Sequence, residues 1–152
     1  MTNETIFDLT ELPRRLLVIG GGPLGCELAQ AFCRFGAQTS IVQSWPLFLP
    51  KEERDAAQLL SDAFAQDGID VRLNTTAVQV RAEGGQKQVD LVSEDSRCTV
   101  TVDAILTGTG RVPNVEGLNL EAAGVDYDST LMPPTLQPAS WWRTHSFWGA
   151  AE

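Results

Sequence analysis

The sequence predicts an α/β fold in which a parallel βαβαβ sheet carries an inserted antiparallel three-stranded β-meander. Three observations predict it. Short apolar runs alternate with amphipathic helical stretches between residues 15 and 73. A glycine-rich turn separates the first run from the first helix. Three alternating segments then succeed one another across turns.

Residues 1–14 form a polar lead-in linker ending at Leu12-Pro13. Arg15–Ile19 is a short apolar run stopped by glycines, the pattern of a strand buried on both faces. Residues 26–35 suit a helix whose apolar face holds Leu28, Ala29, Phe32, Cys33 and Phe35, with Gly36 as its stop. Residues 37–42, with Thr39, Ile41 and Val42, form a second strand. Residues 51–66 form a second helix, with Glu52 and Glu53 at its positive end. Leu59, Leu60, Ala63 and Phe64 make its buried stripe, and Gly68 ends it. Residues 69–73 are the third strand. The meander runs through residues 77–82, 88–93 and Arg97–Val102. Residues 103–107 make a further strand leading into Gly108-Thr109-Gly110, and residues 118–123 make one or two helical turns stopped by Gly124.

Composition narrows the function. The chain has 152 residues, 43% of them apolar, which suits one domain with a real core. Its formal charge of −9 argues against nucleic acid as a partner, because phosphates are neutralised by clustered Lys and Arg. No apolar run is long enough for a membrane span, and residues 1–5 lack a signal-peptide pattern, so the expected location is cytoplasmic. The cysteines Cys26, Cys33 and Cys98 include no C-x-x-C pair, so no metal site is expected. Cys26 and Cys33, on one helical face, read as buried thiols. His145 has no partner cluster, and no catalytic residue is assigned.

The chemistry lies in Gly20-x-Gly22-x-x-Gly25, placed between the first strand and the first helix. This is the context of a Rossmann-like dinucleotide site. Gly20 permits the turn, Gly22 admits a pyrophosphate to the backbone, and Gly25 lets helix and strand pack closely. Free N–H groups at the helix start attract the diphosphate. The alternative is a glycine-rich turn with no ligand. Eighteen residues beyond Gly25, where an acidic residue reads the NAD ribose, stands the uncharged Gln43. It repels neither NAD nor NADP. Lys51 and Arg54 are the nearest cations and reach inward only if their loop folds back.

From Leu12-Pro13-x-x-Leu16 through Gly20-Gly21-Gly22-Pro23-Leu24-Gly25-Cys26-Glu27-Leu28-Ala29, the chain resembles the pyridine-nucleotide domain of the FAD-dependent disulfide oxidoreductases. Glutathione reductase, dihydrolipoamide dehydrogenase and mercuric reductase belong to that family. Thr109-Gly110-Arg111-Val112-Pro113-Asn114 resembles its second motif, in the right order. The resemblance covers roughly residues 2–128, and its region 47–53 looks closest to the mercuric reductase and dihydrolipoamide dehydrogenase branches. It implies an NAD(P)H-binding domain over residues 15–128. Gly20, Gly21, Gly22, Pro23, Leu24 and Gly25 would hold the pyrophosphate, with Glu27 near the nicotinamide end. Gln43 would face the adenosine ribose, Ala77 would pass beside the adenine or ribose, and Gly110 would let the backbone approach the nicotinamide. Pro23 stands where some members carry a tyrosine that covers the flavin.

The resemblance also implies parts that this chain lacks. Family members carry an FAD-binding motif, a C-x-x-x-x-C redox pair and a dimerisation domain with a catalytic histidine. FAD is therefore expected only in the full-length family enzyme. The expected function is the NAD(P)H-binding module of such a flavoprotein oxidoreductase, without catalysis alone. The alternative is a free-standing, non-catalytic nucleotide-binding protein or an inactive gene fragment. A reading in which Gly20-x-Gly22-x-x-Gly25 holds FAD itself is weaker, because Gln43 replaces the glutamate expected there. Expected partners are the dinucleotide, a complementary FAD domain, or a second copy joined through apolar surface at Phe48, Leu118, Leu120 and the tail. Residues 129–152 contain no acidic residue before Glu152 and cluster three tryptophans. They form an irregular tail whose composition suggests a frame-shifted or chimeric read-out, testable in the other two frames of the downstream DNA.

Overall fold

A computed structural model describes residues 1–2, 4–110 and 117–123. The chain divides into two units, Met1–Gly110 and Arg111–Glu152. In the first, strands β1 (Arg15–Ile19), β2 (Gln38–Val42) and β3 (Asp70–Arg72) alternate with helices α1 (Pro23–Arg34) and α2 (Arg54–Asp67). Strands β4 (Thr76–Glu83), β5 (Gln86–Val92) and β6 (Arg97–Val102) follow, then β7 (Ala104–Thr107). In the second unit, Leu120–Ala123 forms a 3₁₀ turn. The tail 129–152 and the motif residues 111–114 lie outside the described residues.

The α/β expectation holds. β3-β2-β1-β7 is a four-stranded parallel sheet, and β4-β5-β6 is a separate antiparallel one. The central strand β1 explains its own sequence. Leu16 and Val18 point to the helices and Leu17 to the meander, so all three are fully buried. On the helix side they join Ile41 and Leu106 with Cys26 and Ala29 of α1 and Ala57 and Phe64 of α2. On the other side Leu17 and Val42 meet Val89, Leu91 and Val102 of the meander. Each such leucine contributes about 1.5–3 kcal/mol by leaving water.

Both helices end at a glycine in the left-handed region. Ala37 N–H donates to Phe32 O across Gly36 (3.0 Å), and Ile69 N–H donates to Phe64 O across Gly68 (2.9 Å). The helix starts differ from expectation. α1 begins at Pro23, not residue 26, because proline at the first helical position has its φ preset and loses no needed donor. α2 begins at Arg54, with Glu53 as its cap and Glu52 outside it; Asp55 is the acid in its first turn.

Three apolar assignments need correction. Leu59 is 72% exposed, since Ala57 and Phe64 face the sheet and Leu60 is only half-buried. Phe35, at the C-cap of α1, is 71% exposed. Phe48, expected on the surface, is buried edge-on against Phe64, with ring centroids 5.7 Å apart. Among the expected buried thiols, Cys26 is buried but Cys33 only partly. The lead-in also joins the core. Ile6 is buried in the helix-side cluster. Met1 lies along the outer edge of β7, its amine donating to Ile105 O (2.7 Å) and its carbonyl accepting from Thr107 N–H (2.9 Å).

Two charge pairs tie strands together. Arg15 at the start of β1 donates to Asp103, just before β7, through Nη2 (2.8 Å) and its backbone N–H (2.9 Å). Asp90, buried on β5, accepts from Thr99 (2.7 Å) and from both Arg81 terminal nitrogens (2.7 and 2.9 Å). Hydrogen bonds from Arg15 hold the Asp103 carboxyl below its ordinary range, and those from Thr99 and then Arg81 do so for Asp90. A lowered folded pKa stabilises the fold above the unfolded value of about 3.9. That contribution is lost as pH falls from there through the folded value. Urea denaturation at pH 7 and pH 3 should therefore show Asp103→Asn weaker than the native chain at pH 7, yet losing less on acidification. Equal losses in the two proteins would remove Asp103 from the acid response.

Candidate functional site

Where β1, β2 and β7 end, their following loops open a cleft of about 770 Å³. The C-terminal edge of a parallel sheet is where such folds bind ligands. Its floor is the glycine turn, Gly20 to Pro23, with Gly108 to Gly110 beside it. One wall is the β2–α2 loop, with Gln43, Ser44, Trp45 and Leu49 to Glu52. Thr75, Thr76 and Ala77 at the start of β4 complete it.

Of the expected site residues, the cleft brings together Gly20, Gly21, Gly22, Pro23, Gln43, Ala77 and Gly110. It does not include Leu24, Gly25 or Glu27. Gly25 is buried beneath the turn, and Leu24 is half-buried. Glu27 is exposed beside a separate groove of about 260 Å³ between α1 and α2. Sequence reasoning did not assign the wall from Ser44 to Glu52, because a loop without periodicity has no signal for which way it folds. Gly108 had a signal, since it follows β7 as Gly20 follows β1.

The glycines differ in what they do. A Cβ on Gly20 would overlap the carbonyl of Gly108, and one on Gly25 would overlap the carbonyl of Gly20. A Cβ on Gly21 would sit 2.5 Å from Gln43 Oε1. Gly20 and Gly25 are closed by backbone, and Gly21 by a side chain that could move. Gly22 is different. A Cβ there meets nothing within 4 Å, and its φ of −77° suits any residue. The fold makes no demand for glycine at 22, yet the cleft opens directly over it.

Helix α1 starts at this point. Its first internal bond runs from Cys26 N–H to Gly22 O (2.9 Å), so the amides of Leu24 and Gly25 have no partner within the helix. The N-terminal dipole adds positive potential. Of the two nearby cations, Lys51 lines the cleft. Arg54 does not: its guanidinium donates to the carbonyls of Phe48 (3.0 Å), Leu49 and Glu52 (2.9 Å). This arrangement fits an anionic, extended ligand lying across the glycine turn. The described residues hold no cluster of His, Cys, Asp or Glu suited to a metal. Among them no helix is long and apolar enough to cross a membrane.

Fold and cleft together define a Rossmann-like α/β domain, with helices on one face of its parallel sheet, the meander on the other and a cleft at the sheet's C-terminal edge. The chain belongs to the pyridine nucleotide-disulphide oxidoreductase family, whose model matches residues 1–132. It is 40% identical over 134 residues to a dihydrolipoyl dehydrogenase of Thermus scotoductus, covering 82% of this chain and 29% of that protein. A mercuric reductase of Lysinibacillus sphaericus is 33% identical over 83% of this chain and 23% of its own length. Among solved structures, the HOCl-induced flavoprotein disulfide reductase RclA of Escherichia coli, as its Cu(II) complex, superposes with a TM-score of 0.71 at 34% identity. That match covers 84% of this chain and 29% of the other. The chain thus spans less than a third of these relatives.

The cysteines lie in unlike surroundings. Cys26, under the turn, donates to Gly21 O (3.6 Å). Burial, and then the charge of Glu27, push its thiol up to about 12. Only the thiolate is nucleophilic, so at pH 8 the buried Cys26 is held almost wholly in its unreactive thiol form. Cys33 donates to Asp67 O (3.1 Å), whereas Cys98 is exposed on β6. Thiol titration of the folded chain at pH 8 should show a fast phase that Cys98→Ser removes and a Cys26 phase at least about a hundredfold slower. Rapid labelling of Cys26 would contradict the buried site.

Proposed function

We propose that residues 15–128 are the NAD(P)H-binding module of a flavin-dependent, disulfide- or mercuric-reductase-like oxidoreductase, and that this chain alone carries no catalytic residue. The observation that supports it is the open, unstrained Gly22. Gly20 and Gly25 are demanded by backbone packing and Gly21 makes room for the Gln43 side chain, whereas Gly22 is free of any internal demand. A ligand backbone lying against residue 22 accounts for it.

The residues present fit the dinucleotide. Gly20 to Gly22 and the amides of Leu24 and Gly25 would hold the pyrophosphate. Gln43 and Ala77 would lie toward the adenosine, and Gly110 toward the nicotinamide. Glu27 lies one helical turn further on, outside the main cleft. A bound NAD(P)H supplies a hydride, and this chain's part is to bind and orient it. Flavin and its acceptor belong to a complementary FAD domain. This reading places the molecule in the cytoplasm, with its nucleotide and that domain as partners.

Calorimetric titration with NADH and NADPH tests this. The native chain should bind at least one saturably. Gly22→Ala should weaken that binding by at least about tenfold while costing under about 1 kcal/mol in urea denaturation, the scale of a lost glycine cap. Gly25→Ala should instead destabilise the fold by several kcal/mol, on the order of other forced overlaps. No binding by the folded native chain, or full binding by Gly22→Ala, would overturn the proposal.

A further inference from the structure

We propose that Gln43 is a positioning residue, an amide latch that holds the glycine turn and the β2–α2 loop at their working separation, and that it does not select between NADH and NADPH. The selectivity part rests on the dinucleotide reading above; the latch part stands on the ligand-free geometry.

Gln43 is only 8% exposed, and all four of its polar groups have partners within the protein. Its backbone N–H donates to Arg72 O (2.9 Å), and its carbonyl accepts from Thr75 N–H (2.8 Å). Its side-chain Oε1 accepts from Gly21 N–H (2.7 Å). Its Nε2 donates to Leu47 O (3.0 Å). One residue therefore joins the turn after β1, the loop after β2 and the segment after β3. Those three segments are the floor and two walls of the cleft.

The chemistry demands an amide. Gly21 presents a donor and Leu47 an acceptor, so position 43 must accept at one atom and donate at the other. A carboxylate keeps the first bond and sets a negative oxygen against the Leu47 carbonyl. A leucine loses both. Gly21 completes the arrangement, since a side chain there would displace the Gln43 oxygen. The loop beyond is held at its far end by Arg54, bonded to the carbonyls of Phe48, Leu49 and Glu52. It is thus fastened at Leu47 and again one residue later. Lys51, carried between those fastenings and the helix, lines the cleft with the only charge opposite to a phosphate among the described lining residues.

Amide hydrogen exchange on the ligand-free full chain tests the latch without any nucleotide. Gln43→Leu should speed exchange at Gly21 and at Glu52, whose N–H bonds to Leu49 O, by about tenfold or more. Gln43→Glu should leave Gly21 slow and speed only Glu52. Unchanged exchange at Gly21 in Gln43→Leu, or at Glu52 in both variants, would overturn the latch. Calorimetry with NADH and NADPH forms the second arm. Gln43→Leu should weaken both alike, moving their affinity ratio by less than about threefold. A ratio shifted by about tenfold or more would make Gln43 a ribose reader and overturn the selectivity claim. Absence of binding in the native chain would sink the dinucleotide reading, and exchange would then decide the latch alone.

Discussion

The structure depends on a close approach of backbones at the ends of three elements. Gly20 closes β1, Gly108 closes β7, and Gly25 lies in the first turn of α1. The approaches of Gly20 to the Gly108 carbonyl and of Gly25 to the Gly20 carbonyl are possible only because Gly20 and Gly25 lack a Cβ. Gly108 N–H donates to Ile19 O (2.8 Å) and Gly20 N–H to Val42 O (2.9 Å), so the parallel ladder continues into the turn. That contact presses the start of α1 onto the end of β1, which aims the helix amides and dipole across the sheet edge. The rest follows. α1 then lies with Cys26 and Ala29 against the sheet, and α2 fills the space beside it through Phe64.

The fingerprint contains two kinds of glycine, which a sequence pattern does not separate. Gly20 and Gly25 are explained by neighbouring backbone atoms, and any chain folded this way needs them whether or not it binds a ligand; Gly21 makes room for the Gln43 side chain. Gly22 has neither a crowded neighbour nor an unusual φ. Its lack of a side chain therefore bears on what approaches from the cleft. The same distinction applies to charge. Lys51 and Arg54 are three positions apart, flanking Glu52 and Glu53, but Arg54 is committed to loop carbonyls and only Lys51 lines the cleft.

Much of this was legible in the sequence because it was written in local signals. β1 matches its expected limits at both ends, opening with Arg15 and stopping before Gly20. The meander was legible through alternation and the Gly84-Gly85 turn between β4 and β5. Failures came where a distant partner decides. Phe48 sits in a loop and looks like surface, but Phe64 on α2 buries it. Leu59 has the right spacing for a helical stripe, but the sheet covers the side marked by Ala57 and Phe64. The cleft was legible as a motif with a position eighteen residues beyond it. The two bonds of the Gln43 side chain were not, because both end on backbone atoms, which carry no sequence signature.

The charge of the chain means that any attraction of the proposed site for an anion is local in origin. A protein of −9 repels a dinucleotide at long range, and its cleft itself carries Glu52 as well as Lys51. At physiological ionic strength charges more than about 8 Å away are largely screened. What remains is the field of the first few ångströms: oriented amides at the start of α1, one lysine, and a turn that lets phosphate oxygens come within hydrogen-bonding distance. Such a field falls off within about one helical turn. It therefore acts only if the turn and the loop carrying Lys51 are held in fixed relation. In this structure they are held through the side-chain amide of Gln43.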